Sequence, residues 1–141
     1  MISDNFVDVI KEMRERFGHE IGCGASRMGF EHKKWVLKVP TNSWGIRDNL
    51  REASIYRRTI KNEVRPFFVP AACRIVNMYV AGRRIPVLIM ERLKLFNVGS
   101  RHADGNDLPL WVKDLFDGWQ IGLDKHGVVK SYDYALEQEG L

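Results

Sequence analysis

The sequence IGCGASRMGFEHKKWVLKVP, residues 21–40, decides the fold of this chain. Gly22 and Gly24 let the backbone approach a ligand closely, and amide groups freed in such a loop can bind phosphate oxygens. Lys38 lies among apolar neighbours, so a strand here would carry a cation that needs an anionic partner. A simpler interpretation is a tight turn followed by an edge strand on which Lys38 faces solvent.

The composition is ordinary for a water-soluble globular protein. The 141 residues are 45% hydrophobic, and 22 basic and 18 acidic side chains are interleaved, giving a formal net charge of +4. Because the basic residues form no block, nucleic-acid binding is not favoured. No apolar run approaches the roughly 20 residues that cross a bilayer, and MISDNF at the start lacks the pattern of a secretion signal. We therefore expect a cytoplasmic protein with no membrane contact.

The two cysteines, Cys23 and Cys73, form neither a CxxC motif nor a zinc-finger spacing. A structural zinc site is therefore not expected. In a cytoplasmic protein both side chains are expected to be free thiols.

Residues 1–18 predict an N-terminal helix that packs on the rest of the chain. The apolar side chains that recur at helical spacing are Phe6, Ile10, Met13 and Phe17. Ser3 or Asp4 would cap the first turn, and Gly18 would end the helix.

Residues 19–93 predict a five-stranded antiparallel sheet with one helix inserted after the third strand. The predicted strands are 19–23, 27–31, 35–39, 74–80 and 85–93. The AGRR sequence between the last two is a predicted hairpin turn. The helix is predicted at 46–61, with an apolar face of Leu50, Ala53, Tyr56 and Ile60.

Glu52 lies beside this apolar face, and two environments are compatible with its position. It could be a solvated charge that pairs along the helix with a basic residue such as Arg57 or Arg58. It could equally turn inward to Lys38 and supply the anion that a semi-buried lysine requires.

Residues 94–141 predict a separate, smaller part of the chain. Low apolar content over 92–108 indicates an exposed hinge, and a short helix is predicted at LPLWVKDLF, with Pro109 near its first turn. Two short strands are predicted at 119–123 and 128–132, with a turn at 124–127 between them. Asp133 follows the second strand and is either a turn residue or a metal ligand.

The order of these features resembles the protein-kinase fold: a glycine-rich hairpin, a strand lysine, a helix glutamate, two strands, a hinge, a catalytic loop and a DFG-like triplet. Gly22 and Gly24 match the first two glycines of the kinase loop, while Arg27 occupies the place of the third. Lys38 in WVLKVP is similar to the lysine of the VAIK motif.

The same resemblance implies roles for residues further along the chain. Glu52 is the best match for the glutamate that pairs with the kinase lysine, and Glu63 is a poorer alternative at or beyond the helix end. Met90 and Glu91 fall where the hinge would present backbone groups to adenine. Asp133 of the DYA triplet resembles the magnesium-binding aspartate of DFG.

The catalytic loop is matched loosely by DLFDGWQ, which begins at Asp114. Asp114 takes the position of the catalytic base, although no His-Arg precedes it. Gln120 lies near, not at, the position of the metal-binding asparagine, and its carbonyl oxygen could bind a hard cation. Asp117 is an alternative carboxylate for either role.

Taken together, the resemblance implies an α+β fold with a protein-kinase-like small lobe at 19–93 and a much reduced large lobe at 94–141. Eight residues follow Asp133, so we expect the activation segment and peptide-docking helices to be missing, as in a miniature kinase-like phage product. The implied ligands are ATP and Mg²⁺, with transfer of the γ-phosphate to a protein hydroxyl. A second subunit could complete the large lobe as a homo-oligomer.

Two other hypotheses remain open. One is a catalytically inactive pseudokinase that acts by binding a protein partner. The other is nucleic-acid binding through the basic side chains of the second helix, Arg47, Arg51, Arg57, Arg58 and Lys61. A solvated helix surface is the simpler account of that basic cluster.

Overall fold

A computed structural model describes residues 2–66, 69–95, 121–135 and 139–140, and these form a mixed α+β structure around a five-stranded antiparallel sheet. A short 3-10 helix at Asp4–Phe6 precedes the first α-helix. The α-helices are α1 (Val7–Phe17) and α2 (Ser43–Ile60). The strands are β1 (Gly22–Cys23), β2 (Arg27–His32), β3 (Trp35–Pro40), β4 (Arg65–Pro66), β5 (Cys73–Val80), β6 (Arg83–Glu91), β7 (Lys94–Leu95), β8 (Ile121–Leu123), β9 (Val129–Ser131) and β10 (Glu139–Gly140).

The five-stranded sheet has the order β1-β2-β3-β6-β5, which confirms the predicted sheet with a helix after its third strand. Lys38 pairs in register with Gly29 on one side and with Leu88 on the other. β3 is therefore a central strand, and the interpretation of Lys38 as an edge-strand residue facing solvent is wrong. The first strand is shorter than predicted, since it spans Gly22–Cys23 alone.

The alternation of side chains along the strands gives the sheet two different faces. One face joins α1 in a hydrophobic core that includes Phe30, Leu37 and Val87. The intervening residues, such as Lys38 and Leu88, point to the opposite face, where α2 packs on β3, β5 and β6. Both faces are thus covered by a helix, and Lys38 lies on the α2 face.

The start of α1 differs from the prediction, whereas its end agrees with it. No side chain caps the first turn; the Ser3 carbonyl accepts a hydrogen bond from the Phe6 amide at 2.9 Å instead. A single 3-10 turn satisfies the amides that a serine or aspartate side chain was expected to cap. Gly18 ends the helix with φ 84, a conformation that favours glycine.

α2 begins three residues earlier than predicted, because Asn42 caps it by accepting a hydrogen bond from the Gly45 amide at 3.2 Å. Glycine at position 45 allows a close approach to β3. An added Cβ would meet the Ser26 carbonyl oxygen and would lie 2.8 Å from the Pro40 Cα. The helix N-terminus is therefore held directly against the strand that carries Lys38.

The predicted apolar face of α2 is wrong in part. Leu50 and Ile60 are 50% and 63% exposed, whereas the buried positions include Asn49 and Glu52, each 0% exposed. The polar pair turns inward because Asn49 donates to two backbone carbonyls and Glu52 meets buried cations. The helix is rotated relative to the face that hydrophobic spacing alone selects.

Near the end of the chain, β8 and β9 form the predicted hairpin, which joins β7 in a three-stranded sheet. The Asp124 carboxylate accepts hydrogen bonds from the His126 and Val128 amides, and Gly127 has φ 79. The predicted short helix and almost all of the hinge segment lie outside the described residues. Among the residues that the structure describes, no helix combines the length and the apolar character needed to span a membrane.

The buried orientation of Asn49 predicts a stability effect. The Asn49→Ala variant is expected to lower the free energy of unfolding by about 2 kcal/mol, because the Lys38 and Pro86 carbonyls each lose a donor at 2.9 Å. The adjacent Leu50→Ala is the matched control, and its cost should stay below about 0.5 kcal/mol. Urea unfolding measures both, and the reverse ranking would contradict the observed orientation of α2.

Candidate active site

A cavity of about 1120 Å³ opens on the α2 face of the sheet, below the hairpin of β1 and β2. Residues 21–27 form one wall, and Lys38 contributes to the floor. The remaining walls include residues 90–94 at the end of β6 and Asp133 after β9. Its size is that of a site for a large organic ligand.

The Lys38 ammonium and the Glu52 carboxylate form a buried ion pair at this cavity, with Nζ and Oε1 separated by 2.7 Å. Lys38 is 9% exposed and Glu52 is 0% exposed. Lys38 also donates to the Tyr132 carbonyl oxygen. The inward orientation of Glu52 is thus the one that the structure shows, and the alternative of a solvated helix charge is wrong.

Glu63, the poorer candidate, follows the end of α2 and lies 3.9 Å from the exposed Arg58 guanidinium. It takes no part in the buried cluster.

Arg27 joins the same cluster from the glycine-rich hairpin. Its Nη2 atom lies 2.6 Å from Glu52 Oε2 and 2.9 Å from Asp133 Oδ1. Its Nη1 atom donates to Asn49 Oδ1 at 3.2 Å. The hairpin, β3, α2 and the segment after β9 therefore meet in one network of two cations and two carboxylates.

The electrostatics of the network keep the buried carboxylate ionised. Burial acts to raise the pKa of Glu52, but the Lys38 ammonium and the Arg27 guanidinium together outweigh it and hold that pKa below its ordinary value. For Lys38, burial dominates and lowers the pKa despite the attraction of Glu52. Desolvation raises the pKa of Asp133, whose side chain is 45% exposed.

The segment that follows β9 is fixed to α2 and to the sheet. The Ala135 amide donates to Glu52 Oε2 at 3.2 Å, and the Arg51 guanidinium donates to the Ala135 carbonyl. Tyr134 is fully buried, and its hydroxyl donates to the Ala71 carbonyl at 2.8 Å. In the DYA triplet, Asp133 is thus held in place by the contacts of Tyr134 and Ala135 that follow it.

Met90 and Glu91, predicted to face adenine, both line the cavity but differ in their contacts. Met90 is 1% exposed and packs in the core beside Tyr134. The Glu91 amide donates to the Ala72 carbonyl at 2.9 Å, and its carboxylate binds Lys130 at 3.0 Å. The Glu91 amide is therefore engaged within the protein, and Met90 offers the cavity an apolar wall.

Steric constraints within the protein do not explain why the hairpin has glycine at positions 22 and 24. Neither Gly22 nor Gly24 has a positive φ. A Cβ at Gly22 would meet nothing within 4 Å, and one at Gly24 would lie 3.8 Å from the Arg27 carbonyl oxygen. The tight turn therefore does not require glycine at either position.

Three residues assigned to the catalytic loop, Asp114, Asp117 and Gln120, lie outside the described residues. The basic helix face is partly used within the protein, since Arg51 holds the Ala135 carbonyl and the Arg47 guanidinium lies 4.8 Å from the Trp44 ring centroid.

Sequence reasoning missed the participation of Arg27 and Asn49. Arg27 stands where the kinase pattern has a glycine, and its two-residue spacing from Gly29, which pairs with Lys38, places it on the Lys38 face of the sheet. Asn49 lies three residues before Glu52 on the same helix face. That spacing was the available signal for both residues.

Comparison of the chain with known protein families, curated proteins and solved structures found no match.

The buried charge network predicts a pH-dependent stability effect at Glu52. At neutral pH, Glu52→Gln should lower the free energy of unfolding by about 3 kcal/mol, because Lys38 loses its carboxylate partner and Arg27 loses one of its two. The folded-state pKa of Glu52 lies below its ordinary 4.5, so its contribution is fully present above pH 4.5 and is lost as pH falls through the folded-state pKa. The difference between the wild type and the variant should therefore shrink in acid.

Urea unfolding across this pH range tests the prediction. Glu20→Gln is the matched control, since Glu20 forms an exposed ion pair with Arg14 at 2.8 Å and its loss should cost much less. Equal effects of the two substitutions at neutral pH would show that the buried network does not stabilise the fold.

Proposed function

We propose that this chain is a kinase-like protein that binds ATP in the cavity below the glycine-rich hairpin. The observation that carries the proposal is the buried Lys38–Glu52 ion pair at the cavity, which Arg27 links to Asp133. A lysine held in this way presents a fixed cation to an anionic ligand. The sheet with a helix inserted after its third strand is the architecture that the kinase resemblance implies.

The two hairpin glycines are consistent with a ligand that approaches the backbone closely, which supports the proposal. Since the free protein leaves space for side chains at Gly22 and Gly24, the turn itself does not explain glycine at these positions, whereas a ligand that comes close to the backbone would. Phosphate oxygens are natural partners of backbone amides at such a loop, and here they would use amides other than that of Gly24, which donates to the Arg27 carbonyl at 2.9 Å. Met90 would offer the purine ring an apolar contact deeper in the cavity.

Magnesium fits the described residues poorly. The Asp133 carboxylate is bound by Arg27, and Glu52 is occupied by Lys38, Arg27 and the Ala135 amide. Within the described ranges no group of three His, Cys, Asp or Glu side chains is placed to hold a metal ion. We therefore assign no step of the proposed function to Mg²⁺.

The same Arg27–Asp133 ion pair favours the pseudokinase as the second candidate. A protein that transferred the γ-phosphate to a protein hydroxyl would use Asp114 as base and Asp133 as metal ligand. Phosphoryl transfer would require Asp133 to leave Arg27, which lies 2.9 Å away, before it could bind a metal ion. Nucleotide binding that supports a protein interaction requires no such rearrangement. Radiolabelled ATP with candidate acceptor proteins separates the two, since transferred label would support the enzyme.

The two cysteines provide a test of where ATP binds. Cys23 is exposed in the hairpin and lines the cavity, whereas burial raises the pKa of Cys73 to about 11 and keeps it protonated. At neutral pH a thiol reagent should modify Cys23 first, and saturating ATP should slow this reaction roughly fivefold or more. Mass spectrometry identifies the labelled residue, and Cys73 is the internal control. An unchanged Cys23 rate in millimolar ATP would contradict the proposed site.

Gly24→Val tests the close approach of phosphate without disturbing the fold. Its new Cβ has an ordinary contact distance in the free protein, so the melting temperature without ligand should stay near that of the wild type. The increase in melting temperature caused by ATP should fall, corresponding to about tenfold weaker binding. Lys38→Met should abolish the increase, and Lys61→Met, at the exposed end of α2, should leave it intact. A full response of Gly24→Val would count against phosphate at the hairpin.

A further inference from the structure

We infer that the Arg27 guanidinium takes the place of a divalent cation in this cavity, so that the chain binds nucleoside triphosphates without Mg²⁺. The inference rests on the proposed function. It concerns which cation contacts the phosphate oxygens of the ligand, and it starts from the oxygens that surround Arg27.

Three side-chain oxygens converge on this guanidinium. Nη2 lies 2.6 Å from Glu52 Oε2 and 2.9 Å from Asp133 Oδ1, and Nη1 lies 3.2 Å from Asn49 Oδ1. Two carboxylates and one amide oxygen are the ligand types that hard cations take in proteins. Here the cation that they surround belongs to the chain itself.

The charges of the cluster are already balanced. Arg27 and Lys38 carry two positive charges against the two negative charges that Glu52 and Asp133 carry when ionised. The Arg27 side chain is 10% exposed, and a guanidinium stays charged throughout the physiological pH range. A divalent ion at Asp133 would have to displace Arg27 and leave its charge buried without this partner, which is costly.

Arg27 retains donors for a phosphate group. A guanidinium has five N–H donors, and the contacts with Glu52, Asp133 and Asn49 use three of them, so two make no hydrogen bond to the described residues. Arg27 also closes the hairpin, since its carbonyl accepts from the Gly24 amide at 2.9 Å. Its cation therefore lies where the glycine-rich hairpin would hold phosphate oxygens, on the same face as Lys38.

This arrangement separates Arg27 and Lys38 from the exposed cations that line the cavity. The exposed ones are Lys33, Lys34, Arg92 and Lys94. An exposed cation is screened by water and adds little binding energy. Arg27 is nearly buried and held in place by three partners, so its side chain loses little further conformational freedom when a ligand binds.

Calorimetric titration of the full chain with ATP, in excess EDTA and then in excess Mg²⁺, tests the inference. The wild type should bind with dissociation constants that agree within about threefold between the two conditions. Arg27→Gln should bind at least about tenfold more weakly in EDTA and should recover part of that loss in Mg²⁺, because Asp133 is then free to bind the ion. Arg14→Gln, which removes an exposed arginine paired with Glu20, should behave as the wild type.

The outcomes separate the inference from the proposed function. Binding by the wild type in Mg²⁺ but not in EDTA would overturn the role of Arg27 and leave ATP binding standing. No binding in either condition would overturn both. The comparison between the two conditions needs only the wild type, so it decides the inference even if Arg27→Gln fails to fold.

Discussion

The structure depends on one constraint, a carboxylate with no access to solvent. Glu52 is fully buried, and an isolated charge in that position would cost several kcal/mol. Its two oxygens are instead satisfied by Lys38, Arg27 and the Ala135 amide. Each partner comes from a different segment, so the single carboxylate fixes β2, β3 and the segment after β9 against α2. The positions of Lys38 and Arg27, and through Arg27 that of Asp133, follow from this requirement.

The sheet could be predicted from the sequence because its strands carry local signals. Period-two hydrophobicity, the AGRR hairpin and Pro40 identify strands and their ends without knowledge of the rest of the fold. The Lys38–Glu52 contact was predictable as one of two alternatives, since a lysine in an apolar strand requires an anion. The inward contact is the one formed because β3 is a central strand. That position depends on pairing with β6, which is distant in the sequence, as well as with β2.

The buried face of α2 and the contacts of Arg27 could not be predicted from the sequence, and the reasons are physical. Hydrophobic spacing selected Leu50 and Ile60 for the buried face of α2, because such spacing assigns no value to a buried polar network. In the sequence, Arg27 is only a departure from a glycine pattern. Its role comes from contacts with Asn49, Glu52 and Asp133, the last of which is 106 residues away. Long-range polar contacts leave no periodic trace in a single sequence.

The buried Tyr134 has a consequence for how the site is assembled. Its hydroxyl contacts the Ala71 carbonyl and Cys73 Sγ, so the segment carrying Asp133 is held by groups at and just before the start of β5. Lys38, Glu52, Arg27 and Asp133 are therefore held together by packed and hydrogen-bonded segments, and no closure of separate lobes is needed to bring them together. The electrostatic geometry that a ligand would meet is set during folding, so binding can select by charge and shape from the first encounter.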